Sequence, residues 1–580
     1  MRWIQRPTPD ADLVAHLQQL LAKDETPFPR PLAEVMVRRG ITDLEAARIF
    51  FKPELSQLHD PRLMRDMDRA VERLLHAFRA QELILLFGDY DVDGTTSVAL
   101  MKRALEDLGF RVAYHVPDRY TEGYGLSFQG IDAGHRQGAT LMITLDCGIK
   151  GTEKVRYASL KGMDTIICDH HTPGAALPPA LAVLDPKRPD CAYPYQELTG
   201  CGVAMKLLMA LVDEMRLQGL PLPDRDYDPL GRYSDLLALS IACDIVPITG
   251  ENRVLAYHGL QKLREDPTPG VAALKAQARD ERDWTISDLV FFIGPRINSA
   301  GRLHHAHGAV EVLLGKQQEL IQLAQDLHDS NEARKDLDRS ITAEAMAQAV
   351  ANPAFAEAHT TVLYGPEWHK GIIGIVASRL VEAYHRPTVL LTRSNGKLVG
   401  SARSVPGFDL YQALEACDGH LLQWGGHKYA AGLTLEEERF EAFRQAFEAA
   451  VARHITPEQR NPVLYLDSEV NFKEIEARLV RLIDRMEPFG PQNRRPTFYT
   501  RDVEVSHVTV MKEKHVRLVL QQGQTLWEGV GFNLAEKYHA LQGQRLDVAF
   551  QPFFNTWNQK VKLNLRLKDI KPAHEAIHSL

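Results

Sequence analysis

A chain of 580 residues with 44% hydrophobic and 25% charged side chains has a globular composition and enough length for about four domains. No stretch approaches the roughly 18 uninterrupted apolar residues of a membrane span, and the opening MRWIQRPTPDADLV lacks a secretory layout, so the expectation is a cytoplasmic protein with no membrane association. A formal net charge of −8 excludes a protein that simply coats nucleic acid through surplus Lys and Arg, so any polyanion must be met locally.

Residues 1–75 read as an N-terminal helical region of short helices punctuated by Pro and Gly, with no motif of chemistry. From 76 to 275 short apolar strands alternate with amphipathic helices, the pattern of a parallel α/β sheet. ELILLF leads into GDYDVDG, and the following helix carries Val98, Met101, Leu105 and Leu108 on one face. RVAYHV, TLMITLD and DTIICDHH are further strands. Asp89, Asp91 and Asp93, then Asp146, then Asp169, His170 and His171 therefore each fall just past a strand's carboxyl end, where open parallel sheets place their crevice. SDLLALSIACDIV reads as a helix that brings Asp244 to the same place. Connecting helices fill 276–350 and end in a long polar helix from about 316 that spans two domains. A second α/β unit occupies 351–455, from TTVLYG through GIIGIVASRLVEAY to KLVGSARS. The tail 456–580 alternates strand-like segments, VEVSHVTV, HVRLVLQ, RLDVAFQPFF and VKLNLRLKDI, as a small β-barrel does. The fold class is thus α/β: a parallel-sheet domain joined by a long helix to a smaller α/β domain, with a C-terminal barrel. Six cysteines (147, 168, 191, 201, 243, 417) lie mostly in apolar runs without CxxC spacing and read as reduced core residues.

One DxD by itself caps a helix or decorates a turn as readily as it binds metal. Several strand ends carrying carboxylates toward one crevice are different, because the charges repel unless a cation sits among them. Carboxylate and imidazole together suit Mn²⁺ or Mg²⁺, and a pair of such ions about 3.5–4 Å apart supports in-line phosphoryl displacement. Asp146 is placed to bridge both ions, and His170 and His171 are ligands or donors toward a phosphate; which aspartate serves which ion stays open. Gly88 and Gly94 flank the acidic turn, where backbone must come close to ligands.

DYDVDG, Asp146 in LDCG, the DHH run and Asp244 in ACDIVP resemble the four motifs of the DHH phosphoesterases. SARS at 401–404 and GGHKYAAG at 425–432 resemble the companion DHHA1 domain. PRINSAGR at 295–302 and EPFGPQNRRPTF at 487–498 are similar to the RecJ branch of that family, with Ser299 where an alanine is expected. The resemblance covers nearly the whole chain beyond residue 80. It implies DHH, DHHA1 and OB-fold domains and a single-stranded-DNA-specific 5′-to-3′ exonuclease that releases 5′-mononucleotides with two Mn²⁺ or Mg²⁺ ions, in recombination and repair, mismatch repair included.

Carried over by motif, the implied metal ligands are Asp89, Asp91, Asp93, Asp146, His170 and Asp244, with Asp146 bridging and His171 on the scissile phosphate. Asp146, His171, Asp91 and Asp93 form the catalytic group. Ser401 and Arg403, backed by Arg296 and Arg302, are expected to hold a 5′-phosphate, since Arg forks and hydroxyls match its oxygens. His427 and Lys428 would meet the next phosphate or sugar, and Arg119 and Tyr124 the strand near the metals. Lys512, Lys514, Arg517, Lys560 and Lys562 are the barrel's candidates for phosphates. Phe553, Phe554 and Trp557 read as barrel core. Selectivity for single strands would come from a channel between the two α/β domains too narrow for a duplex. The implied partners are single-stranded DNA, a single-stranded-DNA-binding protein and a RecQ-type helicase, with a monomer as the working form. Two other functions fit parts of the pattern. A DHH phosphodiesterase of short oligonucleotides or cyclic dinucleotides would need no barrel, and a non-catalytic scaffold would lack a carboxylate of the set.

Overall fold

The structure is a computed structural model that describes residues 1–580 apart from 25, 279–282, 304–306, 316–318, 558, 559, 574, 576 and 580. It divides into two compact units, one of Glu54–Thr456 with Gly490–Asn493, the other of Met1–Pro53, Pro457–Phe489 and Arg494–Leu580.

The first unit contains a five-stranded sheet in the order Arg111–His115, Leu83–Gly88, Ala139–Leu145, Asp164–Cys168, Ala182–Leu184, every pair parallel. These strands are apolar on both faces because helices cover both. Ile84, Leu86, Ile143 and Ile166 pack with Val98, Met101 and Leu105 of the helix Val92–Asp107. Leu85, Phe87, Met142 and Ile167 pack on the other side with Ile131, Val155 and Ala158. Parallel pairing brings every carboxyl end to one edge. The companion sheet runs Gln423–His427, Ala430–Leu435, Lys397–Arg403, Thr388–Ser394, Thr361–Tyr364, with only the last pair parallel. Between the two sheets in sequence runs the helix Leu320–Ala351, which buries a sparse stripe of Ala324, Leu327, Ile341, Ala345 and Ala349.

In the second unit, Phe498–Met511, His515–Gln522, Thr525–Gly531, Lys560–Pro572 and Arg545–Trp557 close into a barrel when the first strand pairs with the last. Thr525–Gly531 was not among the expected strands, since Glu528, Gly529 and Gly531 interrupt its apolar pattern. Residues 1–53 also differ from expectation. Arg2–Gln5 is the central strand between Val463–Leu466 and His578–Ser579, and Leu17, Leu32 and Met36 share one core with Phe472, Leu479 and Phe550. Four residues are too short for a periodic signal; the strand is held by Trp3, fully buried, whose indole N–H donates to Asp569 Oδ2 at 2.8 Å. Phe553 and Phe554 are half-buried rather than core, because past Phe550 their strand pairs only with its hairpin partner. The side chains of Trp557 and Lys560 lie outside the described residues. All six cysteines are free. Among the described residues no helix is long and apolar enough to cross a membrane.

Candidate metal centre and anion pocket

The acidic centre is built from four segments at the carboxyl edge of the parallel sheet. Asp89 leaves the strand Leu83–Gly88 with its N–H donated to Leu145 O at 3.3 Å, level with the end of the neighbouring strand. The chain then turns so tightly that a Cβ on Gly94 would strike the Asp89 backbone. Asp91 caps the helix Val92–Asp107 by accepting the Gly94 N–H at 3.1 Å. Asp93, one residue into that helix, reaches across and accepts three donors: Gly200 N–H at 2.7 Å, Cys201 N–H at 2.9 Å and Ser240 Oγ at 2.7 Å. Asp146 sits in the left-handed region at φ 59°, which Asp tolerates better than most residues. Its N–H donates to Cys168 O at 2.9 Å. Asp244 ends the helix Pro229–Cys243.

These residues converge. His170 Nε2 lies 3.2 Å from Asp146 Oδ1, 3.6 Å from Asp244 Oδ2 and 3.8 Å from Asp93 Oδ2. Ligand atoms fall within 4.8 Å of one another in three overlapping sets: Asp89 with Asp91 and Asp146, Asp93 with His170 and Asp244, and Asp146 with His170 and His171. Asp146 belongs to two of them. Burial, then the neighbouring carboxylate Asp91, pushes Asp89 up to about 8. Burial with Asp93 and Asp91 does the same to Asp244, again to about 8, and burial with the surrounding aspartates drives Asp91 and Asp146 upward. Burial also lowers His170, which favours the neutral imidazole.

Asp89 Oδ2, Asp146 Oδ1 and both ring nitrogens of His170 are buried with no hydrogen-bond partner. Each such orphan costs about 1–3 kcal/mol in a finished core. Orphaned acceptors gathered in one place fit divalent cations, and the oxygen-rich donor set with one imidazole suits Mn²⁺ or Mg²⁺.

Asp169 has a separate task. Burial opposes its charge, yet the His171 ring and the backbone donors hold its carboxyl below the usual range. Its Oδ2 accepts Ile149 N–H at 2.9 Å, and its Oδ1 accepts His170 N–H at 2.7 Å and His171 Nδ1–H at 2.7 Å. The His171 ring is thereby fixed, with Nδ1 3.9 Å from Asp146 Oδ1 and Nε2 3.1 Å from the Tyr124 hydroxyl. Tyr124 also lies 3.5 Å from Asp146 O. Sequence reasoning placed Asp169 only as part of the DHH run; its position two residues before His171 was the available signal.

The expected phosphate contacts form a cationic pocket, with one exception. Arg403 Nη1 donates to Ser401 Oγ at 2.9 Å and Ala402 O at 2.8 Å. A Cβ on Gly374 would come within 2.9 Å of both Arg403 Nη2 and Ser401 Oγ, so the guanidinium rests on bare backbone near the start of the helix Ile373–Tyr384. Arg302 Nη1 donates to Gly371 O at 3.1 Å. Burial, then the cations Arg119, Arg334 and Arg403, pulls Arg302 down to about 10, so it stays charged at neutral pH. Arg119 lies 4.5 Å over the Tyr90 ring. None of Arg119, Arg302 and Arg403 forms a salt bridge among the described residues, an arrangement that favours an anion. Arg296 is the exception. It is buried over the Phe292 ring and donates to Phe292 O at 2.6 Å, with its Nη2 3.0 Å from His328 Nδ1.

His427 shares a cross-strand row with Ala430 and Arg403, which puts its side chain on the same sheet face. The next row, Gly425, Gly432 and Ser401, has open space where two side chains would stand. Lys428 continues from this shelf, its Nζ 5.7 Å from the Tyr429 ring. In the second unit Lys512, Lys514, Arg517 and Lys562 are exposed.

Family models agree with this layout: the DHH family N-terminal domain matches residues 83–241, the DHHA1 domain 357–453 and the RecJ OB domain 466–569. The single-stranded-DNA-specific exonuclease RecJ of Escherichia coli is 34% identical, over 87% of this chain and 90% of its own length. The chain belongs to the RecJ family. The RecJ exonuclease of Bacillus subtilis is 33% identical over 98% of this chain and 70% of its own. Among solved structures, RecJ of Thermus thermophilus in complex with Mn²⁺ superposes with a TM-score of 0.83 at 28% identity, covering 100% of this chain and 80% of that one. RecJ membership makes the chain a metal-dependent hydrolase of the DHH class, and Asp89, Asp91, Asp93, Asp146, His170 and His171 all fall within the matched DHH domain.

Proposed function

We propose that this protein is a single-stranded-DNA-specific 5′-to-3′ exonuclease that releases 5′-mononucleotides with two Mn²⁺ or Mg²⁺ ions, in recombination and repair. The observation that carries the reading is the meeting, inside one compact unit, of three overlapping ligand sets with Arg119, Arg302 and Arg403, which form no salt bridge among the described residues. Such ions, when bound, supply charge neutralisation and an activated water. Asp89, Asp91, Asp93, Asp146, His170 and Asp244 are the residues that would hold them. His171, its ring fixed by Asp169, contacts the scissile phosphate. Arg403, Arg302 and Ser401 hold the 5′-phosphate, and His427 and Lys428 guide the strand along the open glycine shelf. A cytoplasmic monomer working with a single-stranded-DNA-binding protein and a RecQ-type helicase belongs to the same proposal, read by co-sedimentation of the purified components.

A 5′-labelled single strand incubated with the protein and Mn²⁺ is expected to yield labelled mononucleotide, and Asp146→Ala to abolish turnover while strand binding persists. Full activity in Asp146→Ala would remove the centre from the mechanism. Arg403→Ala is expected to erase the difference in KM between phosphorylated and hydroxyl 5′ ends. Equal KM for both ends in the wild type would reject the pocket.

A further inference from the structure

The segment Asp118–Gly125, between the strand Arg111–His115 and the helix Phe128–Arg136, is a strap closed by its own hydrogen bonds. Asp118 Oδ1 accepts the Tyr120 and Thr121 N–H groups at 2.9 and 2.8 Å, and its carbonyl accepts from Glu122 at 2.9 Å and Gly123 at 3.2 Å. Glu122 fastens the strap from behind, accepting Asp118 N–H at 3.0 Å, with its Oε2 2.9 Å from His115 Nε2.

One end of the strap belongs to the metal centre: Gly125 N–H donates to Asp89 Oδ1 at 3.3 Å, and Tyr124 meets His171. The other end reaches the companion domain. The Tyr120 hydroxyl donates to Arg302 O, Lys370 Nζ stands 4.2 Å over the Tyr120 ring, and Gly371 leaves space that its Cβ would take, 2.5 Å from the Tyr120 hydroxyl and 2.9 Å from Arg302 O. Arg119, next to Tyr120 at this second end, is one of the pocket's cations.

We infer that the strap is the ruler of the reaction: Tyr120, seated on Gly371, fixes the distance between the anion pocket and the metal centre so that one nucleotide fits between them. This rests on the exonuclease reading above. Tyr120 is a positioning residue; it sets where Arg119 and Tyr124 stand and touches neither reacting phosphate nor metal. A strap freed from Gly371 lets the pocket and the centre separate, and the cut then falls at more than one phosphate.

The test uses the full chain and a 5′-phosphorylated, 5′-labelled single strand, with products sized and KM measured for the wild type, Tyr120→Ala and Gly371→Ala. The expected result is labelled dinucleotides and longer products beside mononucleotides, a KM for the phosphorylated strand raised about tenfold or more, and Mn²⁺ affinity by titration calorimetry equal to the wild type. Tyr120→Phe keeps the ring beside Lys370 and removes only the hydroxyl, and it carries the test if either variant fails to bind Mn²⁺. Mononucleotides alone, at wild-type KM, from Mn²⁺-binding variants overturn the ruler and leave the exonuclease reading standing. A wild type that releases no 5′-mononucleotide overturns both.

Discussion

Gly200 shows how little room surrounds the candidate bridging carboxylate. A Cβ there would stand 2.6 Å from Asp146 Cβ and 2.8 Å from its Cα, closer than side chains approach, so either the helix start or Asp146 must yield. Gly200→Ala is therefore expected to lower kcat about 10²-fold with the fold retained, because misplacement of a reacting group by about 1 Å has that effect; circular dichroism and steady-state kinetics check it, and wild-type kcat in a folded variant would contradict it. Ser240→Ala removes a hydroxyl 2.7 Å from Asp93 Oδ1 and is expected to weaken Mn²⁺ binding about 10- to 100-fold, the usual effect of losing a ligand's supporting hydrogen bond. Titration calorimetry reads that change directly. The carboxylates themselves were legible because three fall within five residues after an apolar strand. Gly200 and Ser240 were not, since their contributions are a missing side chain and one hydroxyl inside apolar helices. The buried stacking of Arg296 was likewise invisible, as PRINSAGR gives no sign of which arginine turns inward.

At the level of elements, the helix Phe440–His454 is tied to the strand Thr361–Tyr364 by one carboxylate. Glu448 accepts His359 N–H at 2.7 Å, Thr360 N–H at 3.0 Å and the Thr360 hydroxyl at 2.5 Å. Burial works against its charge, but these donors hold its folded pKa below the ordinary 4.5. A depressed carboxyl pKa stabilises the fold above the unfolded value and loses that contribution as pH falls through the folded one. Stability of the companion domain should therefore drop as pH falls below about 4.5, and Glu448→Gln should flatten that part of the Tm-versus-pH curve; identical slopes in both proteins would contradict it. The elements that sequence reading anticipated are long or strictly patterned, such as the parallel strands of the first sheet and the helix Leu320–Ala351. Among those it missed, Arg2–Gln5, Ala182–Leu184 and Thr525–Gly531 are short or broken by glycines, and their strand character comes from the strands they pair with.

Across the molecule, the compact units do not follow chain order. Residues 1–53 complete the core around the barrel, where Leu17, Leu32 and Met36 are buried with residues of the C-terminal segment. A chain cut after residue 456 keeps that segment without its core partners, and about 1.5–3 kcal/mol is lost for each large apolar side chain left exposed. The truncation 1–456 is expected to aggregate more readily than 54–456 in light scattering, and equal behaviour would argue against the shared core. Sequence periodicity does not report such a pairing, because it describes faces and not which distant face covers them. The acidic centre escaped this limit: a parallel sheet delivers successive strand ends to one edge whatever their separation along the chain. Anomalous scattering from a manganese-soaked crystal tests that convergence most directly. Two peaks are predicted among Asp89, Asp91, Asp93, Asp146, His170 and Asp244, with Asp146 touching both; no peak there, or carboxylates turned away from a common point, would contradict it.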